Sequence, residues 1–148
     1  IHSAKFKANF FDVVRYSHVL EHVPSPKREI NEIKSILKEN GKIVIYLPNI
    51  ESIFFKIFRS YWYPIEAPRH FYQFSPVTIK KLLKDNNFRD INITYSQPPH
   101  TFLWSLVYLL GFHNIDKRIG ILAYPIMFLL SPLAILKRSD VIEIVARK

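Results

Sequence analysis

The sequence predicts an α/β fold built on an open sheet, and three observations carry this prediction. Four short segments rich in β-branched and aromatic residues have the composition of strands, at residues 10–16, 43–47, 91–95 and 141–146. Segments with helical spacing of apolar residues lie between them. The run IVIYL is apolar throughout except for its tyrosine, which is typical of a strand covered on both faces. Together these patterns predict one sheet with helices on both faces.

Two expected helices start with the dipeptide Ser-Pro. Serine caps the amino end of a helix and proline suits its first position, so helices are predicted after Ser25 and Ser75. The first continues with isoleucines at helical spacing, and we expect it to stop between Asn40 and Gly41. The second is expected to close at the two asparagines of residues 86–87.

The composition limits the classes of function. The chain has 148 residues, of which 49% are hydrophobic, so it is expected to form one domain with a real core. It has no cysteine, which excludes disulfides and thiolate zinc sites and is compatible with a cytoplasmic location. The net charge of +9 suits an anionic membrane better than nucleic acid, because the basic residues are spread through helices rather than interleaved with stacking aromatics.

The stretch YSHVLEHVPSP contains His18, Glu21 and His22 in the H-x-x-E-H spacing of one group of zinc peptidases. That chemistry needs a long helix with both imidazoles on one face and a third ligand from elsewhere. Pro24 and Pro26 end any helix here before a second turn, and no downstream glutamate is placed as third ligand. We therefore predict no metal ligands, with a metal-dependent hydrolase as a minor alternative. The motif follows a predicted strand, which is where open α/β sheets bind ligands.

Two longer segments carry a family resemblance. The first, FDVVRYSHVLEHVPSPKREINEIKSILKENGKIVIYLPN, contains F-D-V-V, then L-E-H-V-P, and a strand ending in P-N. The second, APRHFYQFSPVTIKKLLKDNNF, has a histidine and F-S before a helix. Together they resemble class I S-adenosylmethionine (SAM)-dependent methyltransferases, of the broad group that includes the ubiquinone O-methyltransferases. The departures are Glu39, Asn40 and Gly41 in place of P-G-G, and Asn87 in place of a glycine.

The resemblance implies the carboxyl-terminal half of a Rossmann-like methyltransferase sheet, with SAM as cofactor. Residues 1–148 would form a partial methyltransferase domain, with the sheet and its helices at 1–100 and 138–148 and an apolar helical insertion at 101–137. In the family a glycine-rich loop and an acidic residue hold the cofactor, and neither stands upstream of Phe10. We therefore expect this chain alone to be inactive. A non-catalytic membrane-docking or interaction module is the main alternative.

The resemblance also assigns roles to the residues after the first strand. Tyr16, Ser17 and His18 stand where relatives touch the methionine part of SAM; the alternative is an ordinary strand-to-helix turn. Glu21 and His22 match the family's E-H pair. In some ubiquinone methyltransferases an E-x-x-E-H set is assigned a divalent metal. Because His18 replaces the first glutamate of that set, we expect a hydrogen-bonded structural pair instead.

The acceptor side is expected after the second strand, because loops at the carboxyl ends of strands carry function. The candidate substrate-binding residues are Asn49, Trp62, Tyr63 and Arg69, and Arg69 suits a carboxylate or phosphate. His70 is the candidate general base, since imidazole titrates near neutral pH; the alternative is that it only pins the loop to the sheet. The acceptor itself, whether glycan, lipid, quinone or small phenol, stays open.

Residues 101–137 contain two apolar runs separated by HNIDKR. The second run has 18 residues, or about 27 Å as a helix, but Pro125 and Pro132 interrupt it, and the first run has only 11 residues. The last strand must also rejoin the sheet, which excludes a single crossing. We expect two helices in the membrane interface, with Trp104 and Tyr108 at its boundary, and hence peripheral membrane contact. The alternative is that both helices pack on the sheet or on another subunit, as a lid over the acceptor site.

Overall fold

The computed structural model describes residues 4–112, 125 and 136–148. The described strands are β1 (Phe11–Ser17), β2 (Leu37–Pro48), β3 (Arg89–Ser96) and β4 (Val141–Arg147). They form one sheet in the order β1-β2-β4-β3. β1 and β2 are parallel, whereas β4 lies antiparallel to both of its neighbours, β2 and β3. The carboxyl ends of β1, β2 and β3 therefore meet at one edge of the sheet, beside the amino end of β4.

Helices alternate with these strands along the chain. The described helices are α1 (Pro26–Ile36), α2 (Ile53–Phe58), α3 (Pro76–Asp85) and α4 (Pro99–Leu109). Short 3-10 turns lie at Leu20–His22, Arg59–Tyr61 and Tyr63–Ile65. This order confirms the α/β fold that the strand and helix patterns predict.

The predicted end of the first helix is wrong. α1 stops at Ile36 rather than at Asn40, and β2 begins at once with Leu37. Leu37 is fully buried and pairs with the start of β1, so strand pairing and burial favour extended backbone over a further helical turn. Gly41 serves a close approach within β2 rather than a helix stop, because a Cβ there would lie 2.8 Å from the carbonyl oxygen of Lys38.

Both predicted helix starts are confirmed, at Pro26 and Pro76, but only the second carries the expected serine cap. Ser25 makes no side-chain capping hydrogen bond, whereas Ser75 forms a reciprocal cap with Thr78. The backbone N–H of Thr78 donates to Ser75 Oγ at 3.2 Å, and the backbone N–H of Ser75 donates to Thr78 Oγ1 at 2.8 Å. This cap also fixes the end of the preceding loop, which carries several of the predicted site residues.

The main core packs the sheet against α1 and α3. Its largest fully buried apolar side chains are Leu20, Ile30, Ile33, Leu37, Ile43, Ile45, Leu47, Ile79, Leu83, Ile142 and Ile144. Burying one aliphatic side chain of this size stabilises a fold by about 1.5–3 kcal/mol before opposing terms are counted. A sheet packed in this way holds the groups at its edge in fixed positions.

α4 matches the first of the two apolar helices predicted within residues 101–137. The Phe102 ring packs on Phe54 and Phe58 of α2, with ring centroids 5.1 and 5.7 Å apart. The fully buried Trp62 completes this aromatic cluster. The second predicted apolar helix lies outside the described residues. Within the described part of the chain, no helix combines the length and the apolar character needed to cross a membrane.

Candidate active site

A cavity of about 380 Å³ opens at the edge of the sheet where β1, β2 and β3 end. We call it the histidine-lined cavity, because imidazoles supply half of its described polar lining, which consists of His18, His22, Tyr63, Glu66, Arg69, His70, His100 and Thr101. Pro48 at the end of β2 and Val141 at the start of β4 also line it. A cavity of this size admits a small molecule or one end of a larger one.

The turn after β1 places the residues of the H-x-x-E-H motif. The backbone N–H of His18 donates to the carbonyl oxygen of Tyr46 on β2 at 3.1 Å, and His18 adopts a left-handed conformation with φ of 52°. The chain then leaves the sheet, and Leu20–His22 form a single 3-10 turn. As predicted, the long helix that zinc peptidases require does not form in this described segment.

Two of the three predicted cofactor residues, Tyr16 and Ser17, are not among the described residues that line the cavity. The Tyr16 hydroxyl is buried and donates to Glu29 of α1. Burial, and then the hydrogen bond to Glu29, raise the pKa of Tyr16 above its ordinary value. Ser17 is exposed at the end of β1. His18, the third residue, does line the cavity, and the contact of all three with SAM stays a prediction.

His22 and His70 lie against each other although they are far apart in the sequence. Their ring centroids are 4.5 Å apart, with an interplanar angle of 67°. His22 Nδ1 lies 3.0 Å from the carbonyl oxygen of Arg69, and His70 Nδ1 lies 2.9 Å from that of Pro64. A carbonyl oxygen only accepts, so each Nδ1 carries a proton, and a neutral ring then has its lone pair on Nε2.

The surroundings of His70 favour its neutral form. Its side chain is only 4% exposed, and burial lowers the pKa of His70 below its ordinary value. The carboxylates of Glu21 and Glu66 oppose this shift in pKa, and His22 adds to it. A buried neutral imidazole offers an electron pair to a proton or to a cation.

Glu21 is the buried carboxylate beside these two rings. Its Oε1 lies 3.3 Å from His18 Nδ1, whereas its buried Oε2 has no hydrogen-bond partner among the described residues. The Glu21 carbonyl oxygen accepts from the N–H of Phe71 at 2.9 Å, which docks the loop that carries His70. One ligand atom from each of Glu21, His22 and His70 lies within 4.8 Å of the other two. The cluster therefore includes His70, and not His18, as its third member.

Tyr63 and Arg69, two of the predicted substrate residues, border the cavity. Arg69 is largely exposed, and its Nη1 lies 3.1 Å from Glu66 Oε2, so its charge is partly compensated. Burial, and then Glu66, raise the pKa of Tyr63 above its ordinary value. The backbone N–H of Tyr63 donates to Ser105 Oγ at 2.9 Å, which ties this loop to α4. Both residues line the cavity, and their role in substrate binding stays a prediction.

The other two predicted substrate residues, Asn49 and Trp62, are fully buried. Asn49 Nδ2 donates to the carbonyl oxygen of Ser139 at 2.9 Å, and Trp62 Nε1 donates to Asp140 Oδ1 at 2.9 Å. Neither belongs to the lining of the cavity as far as the chain is described. Both side chains hold loops together, and their role in substrate binding stays a prediction.

Asp140, which the sequence analysis missed, ties three cavity-lining segments together from its fully buried position before β4. Its Oδ1 accepts from Trp62 Nε1 at 2.9 Å, and its Oδ2 accepts from Gln97 Nε2 at 2.9 Å and from Thr101 Oγ1 at 2.5 Å. The Asp140 carbonyl oxygen also accepts from the N–H of Asn49 at 2.8 Å. These partners are scattered along the chain, so no sequence spacing points to the network.

His100 was missed as well. It lies in the first turn of α4, shortly after the carboxyl end of β3, and it lines the cavity. Its position after a strand could have marked it as a site residue, but the apolar run that follows suggested a membrane helix instead. Although the residue is exposed overall, surrounding protein atoms and then His18 lower the pKa of His100, and Asp140 partly offsets the shift.

Comparison with known proteins identifies the family. A family model described as a methyltransferase domain matches residues 1–93. An uncharacterized protein of Methanocaldococcus jannaschii is 46% identical over 48 residues, which are 32% of this chain and 21% of that protein.

Solved structures of methyltransferases share the fold. A SAM-dependent methyltransferase of Thermotoga maritima, described as a possible histamine N-methyltransferase, aligns with 99% of this chain and 60% of its own, with a TM-score of 0.66 and 14% identity. One from Archaeoglobus fulgidus aligns with 97% of this chain and 62% of its own, with a TM-score of 0.57 and 23% identity. The chain thus spans less than two thirds of either protein's length. Since the family model matches more than half of its residues, the chain belongs to the methyltransferase domain family.

Proposed function

We propose that the intact protein transfers a methyl group from SAM to an acceptor bound in the histidine-lined cavity. SAM is the expected cofactor, because the structural relatives are SAM-dependent enzymes. The observation that carries the proposal is the position of the cavity at the carboxyl ends of β1, β2 and β3, the edge at which open α/β sheets bind ligands. His18 belongs both to the predicted cofactor turn and to the cavity lining, so donor and acceptor would meet there.

Methyl transfer requires the sulfonium donor and the acceptor atom to lie in line, and positioning supplies most of the acceleration. A hydroxyl acceptor must also lose its proton. The Nε2 lone pair of His70 can serve this step in two ways: it takes the proton itself, or it holds a cation that makes the acceptor more acidic. In both cases, removal of the ring impairs the chemical step more than cofactor binding.

The lining also limits the acceptor. Tyr63 places an aromatic ring in the lining beside the imidazoles, and Pro48, Pro98 and Val141 add apolar surface. The rings of Trp104 and Tyr108 pack next to Tyr63, with centroids 6.3 and 5.9 Å from it, but they are not among the described lining residues. Such a site suits an acceptor with an apolar or aromatic body and one polar reacting group. A lipid, a quinone or a small phenol therefore fits better than a glycan.

The test is a methyl-transfer assay on the intact enzyme with radiolabelled SAM and one acceptor from each of these four classes. His70→Ala should lower kcat by about a hundredfold or more and leave SAM affinity within about twofold. Lys80→Ala, an exposed residue of α3, is the control and should behave as the unaltered enzyme. If His70→Ala keeps full turnover, the proposed role of His70 is wrong. Failure to methylate any of the four classes would favour the non-catalytic interaction module.

We also propose peripheral membrane contact of a cytoplasmic enzyme. Exposed large apolar side chains occur along α2, the end of α4 and the approach to β4: Ile57, Leu109, Leu110, Phe112 and Leu136. The basic residues Lys137 and Arg138 follow the last of these in an exposed stretch. Apolar side chains beside basic ones are the combination that binds anionic membrane surfaces.

Flotation with anionic and with zwitterionic liposomes tests this contact. Leu110→Glu should reduce the fraction of protein bound to anionic vesicles at low salt, because it places a negative charge among the exposed apolar side chains. Val77→Glu is the matched control, since Val77 on α3 is an apolar residue at least as exposed as Leu110. Equal loss for both variants, or no flotation of the unaltered protein, would contradict membrane contact. The alternative of a lid would then be favoured, and α4 already packs Trp104 against the cavity residue Tyr63.

A further inference from the structure

We infer that Glu21, His22 and His70 form a binding site for one divalent transition-metal ion of the zinc class. This goes beyond the proposed methyl transfer, and the binding of the ion does not depend on that activity. The first support is proximity: one ligand atom of each side chain lies within 4.8 Å of the others. An ion about 2.1 Å from each would draw the three atoms closer still.

The second support is the orientation of the two imidazoles. His22 and His70 each direct Nδ1 at a backbone carbonyl oxygen, 3.0 and 2.9 Å away. Histidines that bind metals hold their second nitrogen in this way, which fixes the tautomer and leaves Nε2 as the ligand. The side chain of His70 is only 4% exposed, so few water molecules can compete with a metal ion for its lone pair.

The third support is the state of Glu21. The residue is 1% exposed, and its Oε2 is a buried oxygen without a hydrogen-bond partner among the described residues. A buried polar atom in that condition costs free energy unless a cation or donor satisfies it. An ion between Oε2 and the two imidazoles would satisfy it directly.

The ligand types identify the class of ion. Two imidazoles and one carboxylate suit zinc and its neighbours in the first transition row, whereas calcium and magnesium prefer sets of oxygen ligands. Three protein ligands leave a coordination position open. His22 and His70 both line the cavity, so the open position would face it. With an ion in place, the His70 lone pair is engaged, and His70 serves as a ligand rather than as the proton acceptor.

The site differs from the one that the H-x-x-E-H spacing suggests. His18 is replaced by His70 as the third ligand, and the His18 ring instead lies against Glu21 Oε1 at 3.3 Å. The two ligand sets therefore predict different effects of substitution at His18 and at His70.

The experiment uses the purified 148-residue chain without an affinity tag. The protein is stripped with a chelator and titrated with Zn²⁺ by calorimetry, and Co²⁺ absorption spectra report the ligand geometry. We expect one ion per chain, with affinity lowered at least about tenfold by Glu21→Gln and by His70→Ala and reduced less by His18→Ala. His100→Ala removes an imidazole of the same cavity outside the cluster and should bind Zn²⁺ as the unaltered chain does.

Circular dichroism of each variant confirms that it is folded before it is compared. Glu21→Gln is nearly isosteric, so a loss of binding by the folded variant reports the missing charge. No binding by the unaltered chain would overturn the inference. Equal losses in His70→Ala and His100→Ala would do the same, since they would indicate unspecific capture by surface imidazoles. A larger loss in His18→Ala than in His70→Ala would assign the ion to the H-x-x-E-H set instead.

Discussion

Replacing Asp140 by alanine should destabilise the fold by about 2–3 kcal/mol. The substitution removes the acceptor of Trp62 Nε1, Gln97 Nε2 and Thr101 Oγ1. Thr101 Oγ1 keeps the carbonyl oxygen of Pro98, 2.9 Å away, and Gln97 Nε2 keeps Thr101 Oγ1, also 2.9 Å away. The indole N–H of the fully buried Trp62 is the donor left unpaired. One unpaired buried donor costs about 1–3 kcal/mol, and weakening of the other two bonds adds to this.

The assay is urea unfolding followed by circular dichroism. With a slope of about 1–3 kcal/mol per molar urea for a small domain, a loss of 2–3 kcal/mol lowers the midpoint by roughly 0.7–3 M. Asp85→Ala is the control, because Asp85 is an exposed partner of Lys81 on α3 and should change stability by less than about 0.5 kcal/mol. A midpoint for Asp140→Ala within error of the Asp85→Ala midpoint would refute the network.

Three further predictions concern the sheet and the cofactor. Gly41→Ala should lower the free energy of unfolding in urea by about 1–3 kcal/mol, because the added Cβ would lie 2.8 Å from the backbone oxygen of Lys38. Gly111→Ala is the control: its Cβ would meet no atom within 4 Å, so it should destabilise the fold less, despite its positive φ. Folding raises the pKa of Tyr16, so the contribution of this residue to stability is complete below about pH 10 and is lost as the pH rises above that value. The unaltered chain should therefore lose stability between about pH 10 and 12 more steeply than Tyr16→Phe does. Calorimetry of the 148-residue chain with SAM should show weak or no binding, because the turn after β1 is predicted to supply only one wall of the cofactor site. Tight binding would show that this predicted position is wrong.

The sheet could be predicted from sequence because each strand carries a local signal. An apolar run or a Ser-Pro helix start can be recognised from about a dozen neighbouring residues. The cap of α3 by Ser75 is present as predicted. The end of α1 could not be predicted in this way. Helical spacing continues past Ile36, but the burial of Leu37 and its pairing with β1 decide the backbone there, and both depend on a distant strand.

The cavity was predicted in part. The rule on strand ends placed a site at this edge and selected Tyr63, Arg69 and His70, which line the cavity, together with Asn49 and Trp62, which do not. His18 was assigned from the family resemblance and also lines the cavity. The contact between the rings of His22 and His70 depends on a backbone hydrogen bond between distant segments, from the Phe71 N–H to the Glu21 carbonyl oxygen. A contact between distant segments produces no local pattern in the sequence, so neither this contact nor the Asp140 network could be predicted from residue spacing.

The most direct test of the central claim is a crystal structure of the intact enzyme with S-adenosylhomocysteine bound. The proposed function predicts that the methionine part of this ligand lies against the turn at Ser17 and His18, with its sulfur at the mouth of the histidine-lined cavity, facing His70. A ligand bound elsewhere, or one whose sulfur points away from the cavity, would contradict the proposal that the methyl acceptor binds there.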